Sequence, residues 1–219
     1  ALTMVLLRYL IRGLLTALYR VEVRGLEHFR AAGERVLVVA NHTSFLDAVL
    51  LAAFLPDRLT FAINSHVAER WWIKPFLRLV DAFPMSPTNP YSTRALIQLL
   101  REDRKTVIFP EGRITVTGSL MKIYDGTGMI ADRSGAMVLP VRIDGAQLTP
   151  FSRLRGRVRL RWFPRITLTV LPPTRLDVPA GVTGRARRQR AAAALSDLMT
   201  GMMFATAESS RTLFDALLD

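Results

Sequence analysis

The chain has 219 residues, 50% of them hydrophobic, and a formal charge of +12 from 30 Lys and Arg against 18 Asp and Glu. That length suits one domain with a substantial core, and that charge favours anionic partners: nucleic acid, anionic lipid or an acidic carrier protein. The lack of Cys excludes disulfides, thiolate metal sites and a Cys nucleophile, and three His with no His/carboxylate cluster at ligand spacing argue against a metal enzyme.

Residues 2–20 read as one helix. Arg8, Arg12, Thr16 and Arg20 recur every fourth residue, so they step about 40° at a time and share an arc of about 120°. The rest of the surface is Leu, Met, Val, Ile, Tyr and Ala. A wide apolar face with a narrow basic stripe predicts a helix at a membrane interface, contacting the membrane through Arg8, Arg12 and Arg20. The competing reading is a core-packing helix with an exposed Arg edge. No run of 18 uncharged apolar residues occurs, so no transmembrane helix is expected. No signal peptide with a small-residue cleavage site is visible. The mean hydropathy of +0.22 is high for so charged a chain, which fits a protein lying on a membrane. Residues 21–219 form the main domain.

Residues 21–23 read as a short strand, Gly25 as a turn, and Val36 to Ala40 as a buried strand. The next stretch is Asn41-His42-Thr43-Ser44-Phe45-Leu46-Asp47, and Phe45 to Leu55 reads as a helix ended by Pro56. Ser44 is a good N-cap, and Asp47 completes a variant of the capping box. His42 then stands at the carboxyl end of a strand with Asp47 in the first turn behind it, where open α/β sheets place their chemistry. On one continuous helix, residues five apart point about 140° away from each other. The two meet only if the chain turns a corner between them. In that case the carboxylate holds one ring nitrogen and leaves the other as a base. Otherwise His42 is a satisfied strand-end His and Asp47 only a cap.

Residues 59–63 read as a strand. Residues 67–79 read as a helix carrying Trp71, Trp72 and Phe76, interrupted at Pro75. Trp71 and Trp72 fit interfacial anchors and core equally well. A strand over 80–85 leads into a loop forced by Pro84, Pro87 and Pro90, and Tyr91 to Arg101 reads as a helix opening on a Ser-Thr cap. Thr106 to Pro110 is another buried strand, ending in the charged corner Glu111-Gly112-Arg113. A helix over 124–135 ends at Gly135, and a strand over 138–143 contains Pro140. This alternation argues for α/β architecture, a mainly parallel sheet flanked by helices. Arg153, Arg155, Arg157, Arg159 and Arg161 alternate with apolar residues or Gly, and in a strand would share one face. Residues 165–170 read as the last strand, and 185 to about 218 as a helix loaded at its start with Arg185, Arg187, Arg188 and Arg190.

The order and spacing of Asn41-His42-x-Ser44-x-x-Asp47, Phe109-Pro110-Glu111-Gly112-Arg113 and Val138-Leu139-Pro140-Val141 resemble the glycerophospholipid acyltransferase family over nearly the whole chain. Phe109 to Gly126 and Phe151-Ser152-Arg153-Leu154 extend the likeness to its bacterial bifunctional members, in which an acyl-acyl-carrier-protein synthetase domain follows. No Gly-rich ATP loop is present, so the chain reads as an excised domain or a stand-alone version. The resemblance implies a glycerolipid acyltransferase-like fold and no metal or other cofactor. It implies acyl-acyl carrier protein (acyl-ACP), or acyl-coenzyme A, as donor and a lysophospholipid, 2-acylglycerophosphoethanolamine, as acceptor in phospholipid repair. The implied place is the cytoplasmic face of a bacterial inner membrane, with an anionic membrane surface, acyl carrier protein, a downstream synthetase domain and a lysophospholipid flippase as partners. It also implies that Glu111, Gly112 and Arg113 bind the acceptor's glycerophosphate, with Asn41 and Ser44 beside them and Pro140 shaping the pocket wall.

Acyl transfer to an alcohol needs a base that takes the proton as the new bond forms, because imidazole is too weak to deprotonate an alcohol beforehand. His42, oriented by Asp47, suits that role. With no Cys and no Gly-x-Ser-x-Gly elbow, the expected reaction is direct, without an acyl-enzyme. Arg113 offers a fork to a phosphate oxygen, and Gly112 admits close backbone approach. Two departures from the family pattern bear on the acceptor. Phe83-Pro84-Met85-Ser86-Pro87 lacks the usual phosphate-gripping Arg, and Asp125 stands where Lys is frequent. Fewer cations disfavour a phosphomonoester, and Asp125 could meet an ethanolamine ammonium. The alternatives are a 1-acylglycerol-3-phosphate acyltransferase and a non-catalytic lipid- or carrier-binding module. Nucleic acid is discounted, since no zinc-finger or RNA-recognition motif is present and the basic residues lie beside apolar faces. The Arg153–Arg161 and Arg185–Arg190 clusters suit anionic headgroups or an acidic carrier protein.

Overall fold

The computed structural model describes residues 2–69, 71, 77, 80–86 and 89–206. Strands β1 (Glu22–Arg24), β2 (Val36–Ala40), β3 (Thr60–Asn64), β4 (Asp81–Met85), β5 (Thr106–Ile108), β6 (Met137–Asp144) and β7 (Thr167–Val170) form one seven-stranded sheet in the order β1-β7-β6-β2-β5-β3-β4. Every pairing is parallel except β6 with β7.

β2 explains why its sequence is an unbroken apolar run: both of its faces are covered. Val36, Val38 and Ala40 point to one cluster with Leu15, Phe29 and Leu50, while Leu37 and Val39 point to another with Leu96, Ile130, Leu195 and Met199. The first layer holds α1 (Leu2–Tyr19), α2 (Leu26–Ala31) and α3 (Asp47–Phe54); α4 (Ser65–Ala68) is one short turn after β3. The second layer holds α5 (Pro90–Arg101), α6 (Asp125–Ser134) and α7 (Gly184–Ala205). From β2 the chain leaves through α3 toward β3. From the adjacent β5 it leaves through α6 toward β6 on the other side. The carboxyl ends of β2 and β5 therefore flank a topological switch point, where a crevice opens.

Several local expectations are corrected. The cap of α5 is Asn89, whose side chain accepts from Tyr91 N–H at 2.9 Å with Pro90 at the first helical position; Ser92 and Thr93 lie inside the helix. Residues 153–161 form no strand. Arg157 N–H closes a turn on the Leu154 carbonyl at 2.9 Å, and Gly156 takes a left-handed φ of +82°. The alternating pattern finds no neighbouring strand to pair with, although its arginines remain exposed. Of the helix expected over 67–79, residues 67–68 lie in α4 and Leu77 is helical, while 70, 72–76 and 78–79 lie outside the described residues; Trp71 is 80% exposed, which removes it from the core. Trp72, Pro75, Phe76 and Pro87 lie outside the described residues, as does the end of the helix expected to reach 218.

Helix α1 is present, but its basic stripe faces the body. The Arg8 guanidinium donates to the carbonyls of Leu55 and Asp57, just past the C-terminus of α3. Arg12 lies 5.3 Å over the Phe54 ring. Leu15 and Tyr19 are buried, whereas Val5, Leu6, Tyr9, Leu10 and Leu14 face outward. Among the described residues no helix is long and apolar enough to cross a membrane.

Candidate active site

Where β2 leaves the sheet, Asn41 takes over the role of the ladder. Its buried side-chain amide donates to the Ile143 carbonyl at 2.9 Å and accepts from Ile143 N–H at 2.8 Å, fastening the corner to β6. His42 follows, held at four points. Its N–H donates to Glu111 Oε1 at 2.7 Å, and its carbonyl accepts from Thr115 N–H at 2.8 Å. Its ring stacks on Phe109 with centroids 4.1 Å apart, and its Nδ1 lies 2.9 Å from Asp47 Oδ2.

Asp47 is fully buried, and no Lys or Arg is paired with it among the described residues. Its Oδ2 accepts from Thr43 N–H at 2.5 Å and Ser44 N–H at 2.8 Å as well as from the ring. The expected capping box is half formed: the Asp47 carboxylate takes the Ser44 N–H, but Ser44 Oγ accepts from Leu46 N–H at 3.2 Å and the helix begins only at Asp47. An ionised carboxylate only accepts, so opposite it Nδ1 carries the ring proton and Nε2 is left able to accept one. The His42 side chain is 19% exposed, enough for a substrate hydroxyl to reach it.

Glu111 is placed differently from the expectation that it binds the acceptor. It is 2% exposed, and its second oxygen accepts from Met121 N–H at 2.8 Å. Burial pushes its carboxyl pKa up, opposed by its hydrogen bonds from the His42 and Met121 amides. Both oxygens are thus committed to bracing the base and the loop that follows. Gly112 is required by its φ of +64°, and a Cβ there would stand 2.8 Å from the Tyr124 ring. Arg113 is exposed beside this turn and makes no hydrogen bond or ion pair among the described residues. Ser44, fully buried near the Thr149 hydroxyl at 3.3 Å, and Pro140, buried in β6 opposite Val39, are also fastenings.

The sequence reading missed Phe109 as the platform of the ring and Thr115 as the holder of the His42 carbonyl. The buried Thr115 hydroxyl also donates to the Ser119 carbonyl at 2.9 Å and accepts from Thr117 and Gly118 N–H, each at 3.2 Å. The run Thr115-Val116-Thr117-Gly118-Ser119 was the available signal for such a hydroxyl-tied turn. Asp125 is exposed at the start of α6. With Lys122 it lines a groove of about 680 Å³ between residues 118–123 and α7. Arg20 donates to the Phe163 carbonyl at 3.2 Å. Among the described residues no group of three His, Cys, Asp or Glu could hold a metal ion.

The family model described as Acyltransferase matches residues 20–144, more than half of the chain, and spans the His42, Glu111 and Pro140 motifs. The 1-acyl-sn-glycerol-3-phosphate acyltransferase alpha of Mus musculus is 29% identical over 174 residues, covering 74% of this chain and 59% of its own length. The 1-acyl-sn-glycerol-3-phosphate acyltransferase of Bacillus subtilis (strain 168) is 26% identical over 127 residues, covering 57% of this chain and 63% of its own. The chain therefore spans about three-fifths of the length of these two relatives. The crystal structure of the 1-acyl-sn-glycerophosphate acyltransferase of Thermotoga maritima shares the fold, with a TM-score of 0.67 over 94% of this chain and 80% of that one at 19% identity.

Proposed function

Because the chain belongs to the acyltransferase family, we propose that it moves a fatty acyl group from a thioester donor to the free hydroxyl of a lysophospholipid. The observation that carries this reading is the 2.9 Å contact between His42 Nδ1 and a buried Asp47, with Nε2 left open. The acceptor oxygen attacks the thioester carbonyl while its proton passes to Nε2. The carbon–sulfur bond then breaks, and the departing sulfur recovers the proton from the imidazolium. No acyl-enzyme is formed. Arg113, exposed beside the Gly112 turn and unpaired among the described residues, can take two phosphate oxygens bidentately.

The acceptor we favour is 2-acylglycerophosphoethanolamine, and the motifs resemble those of the bacterial bifunctional 2-acylglycerophosphoethanolamine acyltransferase/acyl-ACP synthetase. In support, Lys122 and Asp125 line one groove, a cation and an anion suited to a phosphodiester and an ammonium. The names of the relatives favour a second acceptor, 1-acylglycerol-3-phosphate. Acyl-ACP is the favoured donor over acyl-coenzyme A, in line with the charge of +12 and the exposed Arg185, Arg188 and Arg190 of α7. The outward apolar face of α1 supports peripheral attachment to a membrane, which we assign to the cytoplasmic face of a bacterial inner membrane, where acyl carrier protein is found.

The test is radiolabelled acyl transfer from acyl-ACP to each lysophospholipid, with His42→Ala in parallel. Activity that falls about 10³-fold in the variant, with the fold retained, is the expected result. Equal rates in both proteins would overturn His42 as the base. A preference for the phosphomonoester acceptor would overturn the ethanolamine assignment while leaving the reaction standing.

A further inference from the structure

Between Gly145 and Leu176 the chain carries seven arginines and no Asp or Glu. Arg153, Arg155, Arg159 and Arg161 are exposed and have no carboxylate partner among the described residues. Arg157 differs, its guanidinium donating to the Val116 carbonyl, and Arg165 pairs with Glu22 at 2.5 Å. The same segment exposes Phe151, Trp162 and Phe163, with Trp162 at 69%. The guanidinium groups without carboxylate partners are flanked by bare aromatic rings, whose apolar surface is costly to leave in water. The combination matches a surface offering phosphate and an apolar layer together.

Two contacts give this segment its importance. On one side it is tied to the catalytic corner. Phe45 N–H donates to the Phe151 carbonyl at 3.1 Å, Ser44 bridges to Ser152, and Arg153 lies 5.6 Å over the exposed Phe45 ring. On the other side it meets α1. The Tyr19 and Phe163 rings are 6.0 Å apart, and Arg20 donates to the Phe163 carbonyl. Residues 151–163 thus run from Phe45, beside His42, to the C-terminal end of α1.

We propose that residues 151–163 are a second membrane-docking element, which seats on anionic lipid and brings the mouth of the His42 corner to the lipid boundary. This rests on the lysophospholipid reading above for its purpose, but not for its physics. The occupant is an anionic bilayer rather than an acidic protein, because Phe151, Trp162 and Phe163 stand exposed beside the arginines and the segment adjoins the end of α1, whose outward residues are apolar. A soluble acidic carrier would leave Trp162, Phe163 and the α1 leucines wet.

The test is partition onto vesicles of phosphatidylcholine and phosphatidylglycerol, compared with phosphatidylcholine alone. The triple variant Arg153→Gln/Arg155→Gln/Arg159→Gln spares Arg157 and should partition roughly 100-fold more weakly, each arginine near an anionic surface being worth about a factor of five. In a Trp71→Phe/Trp72→Phe background, Trp162 is the remaining Trp, and its fluorescence should be quenched by brominated lipid. Vesicle binding is read without turnover. A protein that binds through this loop yet transfers no acyl group would therefore support the docking surface while sinking the reaction. Undiminished partition of the triple variant with an unquenched Trp162 would overturn it. So would undiminished partition together with a raised KM for acyl-ACP, which would make the face a carrier dock.

Discussion

At the amino ends of the strands, every carboxylate of one cluster meets a cation. Lys105 reaches Glu34 at 3.0 Å and Asp57 at 2.7 Å, Arg58 and Arg104 reach Asp81, and Arg35 reaches Asp103 at 2.9 Å. At the carboxyl ends of the same sheet, Asp47 and Glu111 meet no Lys or Arg among the described residues. Their partners are the amides of His42, Thr43, Ser44 and Met121, the Thr43 hydroxyl and one imidazole. Both arrangements satisfy carboxylates, but with different consequences. Exposed ion pairs are screened and replaceable. Buried carboxylates held by backbone amides fix atoms in place and keep a net negative charge beside the base. A Lys or Arg at Asp47 would compete for the carboxylate that sets the His42 tautomer.

The contrast predicts a graded set of responses. The largest belongs to Asp47→Asn. Its oxygen can keep the three bonds that Oδ2 accepts, with the amide nitrogen turned to the Thr43 hydroxyl, but the charge that stabilises the imidazolium is lost, so kcat should fall about 10³-fold or more and stability by roughly 1 kcal/mol as charge-assisted bonds become neutral ones. Steady-state kinetics and denaturant titration would record both, and a variant with native kcat would sever Asp47 from the base.

Next comes Glu111→Gln, which cannot accept from both the His42 and Met121 amides. We expect a smaller loss, about 10- to 100-fold in kcat, from misplacement of the base. Its pH signature is specific. A carboxyl whose folded pKa lies above the ordinary 4.5 contributes stability in full below that value and loses it as pH rises through the folded pKa. The stability gap between parent and variant should therefore be widest in acid and narrow as pH rises; a gap that widened with pH would reverse the assigned effect of burial.

Arg113→Ala should leave the thermal midpoint unchanged and raise the acceptor KM about tenfold, the share of one charge-assisted contact. An unchanged KM would remove Arg113 from the acceptor site. The smallest effect is Asp103→Ala at the amino end: an exposed pair is worth roughly 0–1 kcal/mol, and the acyl-transfer rate should not move. A slowed rate there would mean that the two ends of the sheet are coupled.

Most of the strand and helix alternation was legible because β2, β5 and β6 are buried on both faces, and continuous apolar runs punctuated by Pro and Gly mark such strands. The His42–Asp47 pair was legible because its geometry is local, a corner needing only five residues. The role of Glu111 was not, since its partner is a backbone amide 69 positions earlier and amides carry no sequence signature. The alternation of Arg153 to Arg161 suggested a strand, yet a period of two makes a strand only where another strand offers free N–H and C=O groups.

Helix α1 shows where that boundary lies. Its sequence determined that it would be helical, with a basic stripe and a broad apolar face, because the spacing of residues around a helix is set by backbone geometry alone. Which face would meet the body was decided by the tertiary structure. The open carbonyls of Leu55 and Asp57 and the Phe54 ring lie beneath Arg8 and Arg12, and they draw the guanidinium groups inward while Leu6, Leu10 and Leu14 are left outside and Leu15 is buried. In the same way the sequence determined the residues of the His42 corner, and the sheet decided which of them stand open at the crevice and which brace it. Brace and contact are built from the same residue types, and only long-range packing distinguishes them.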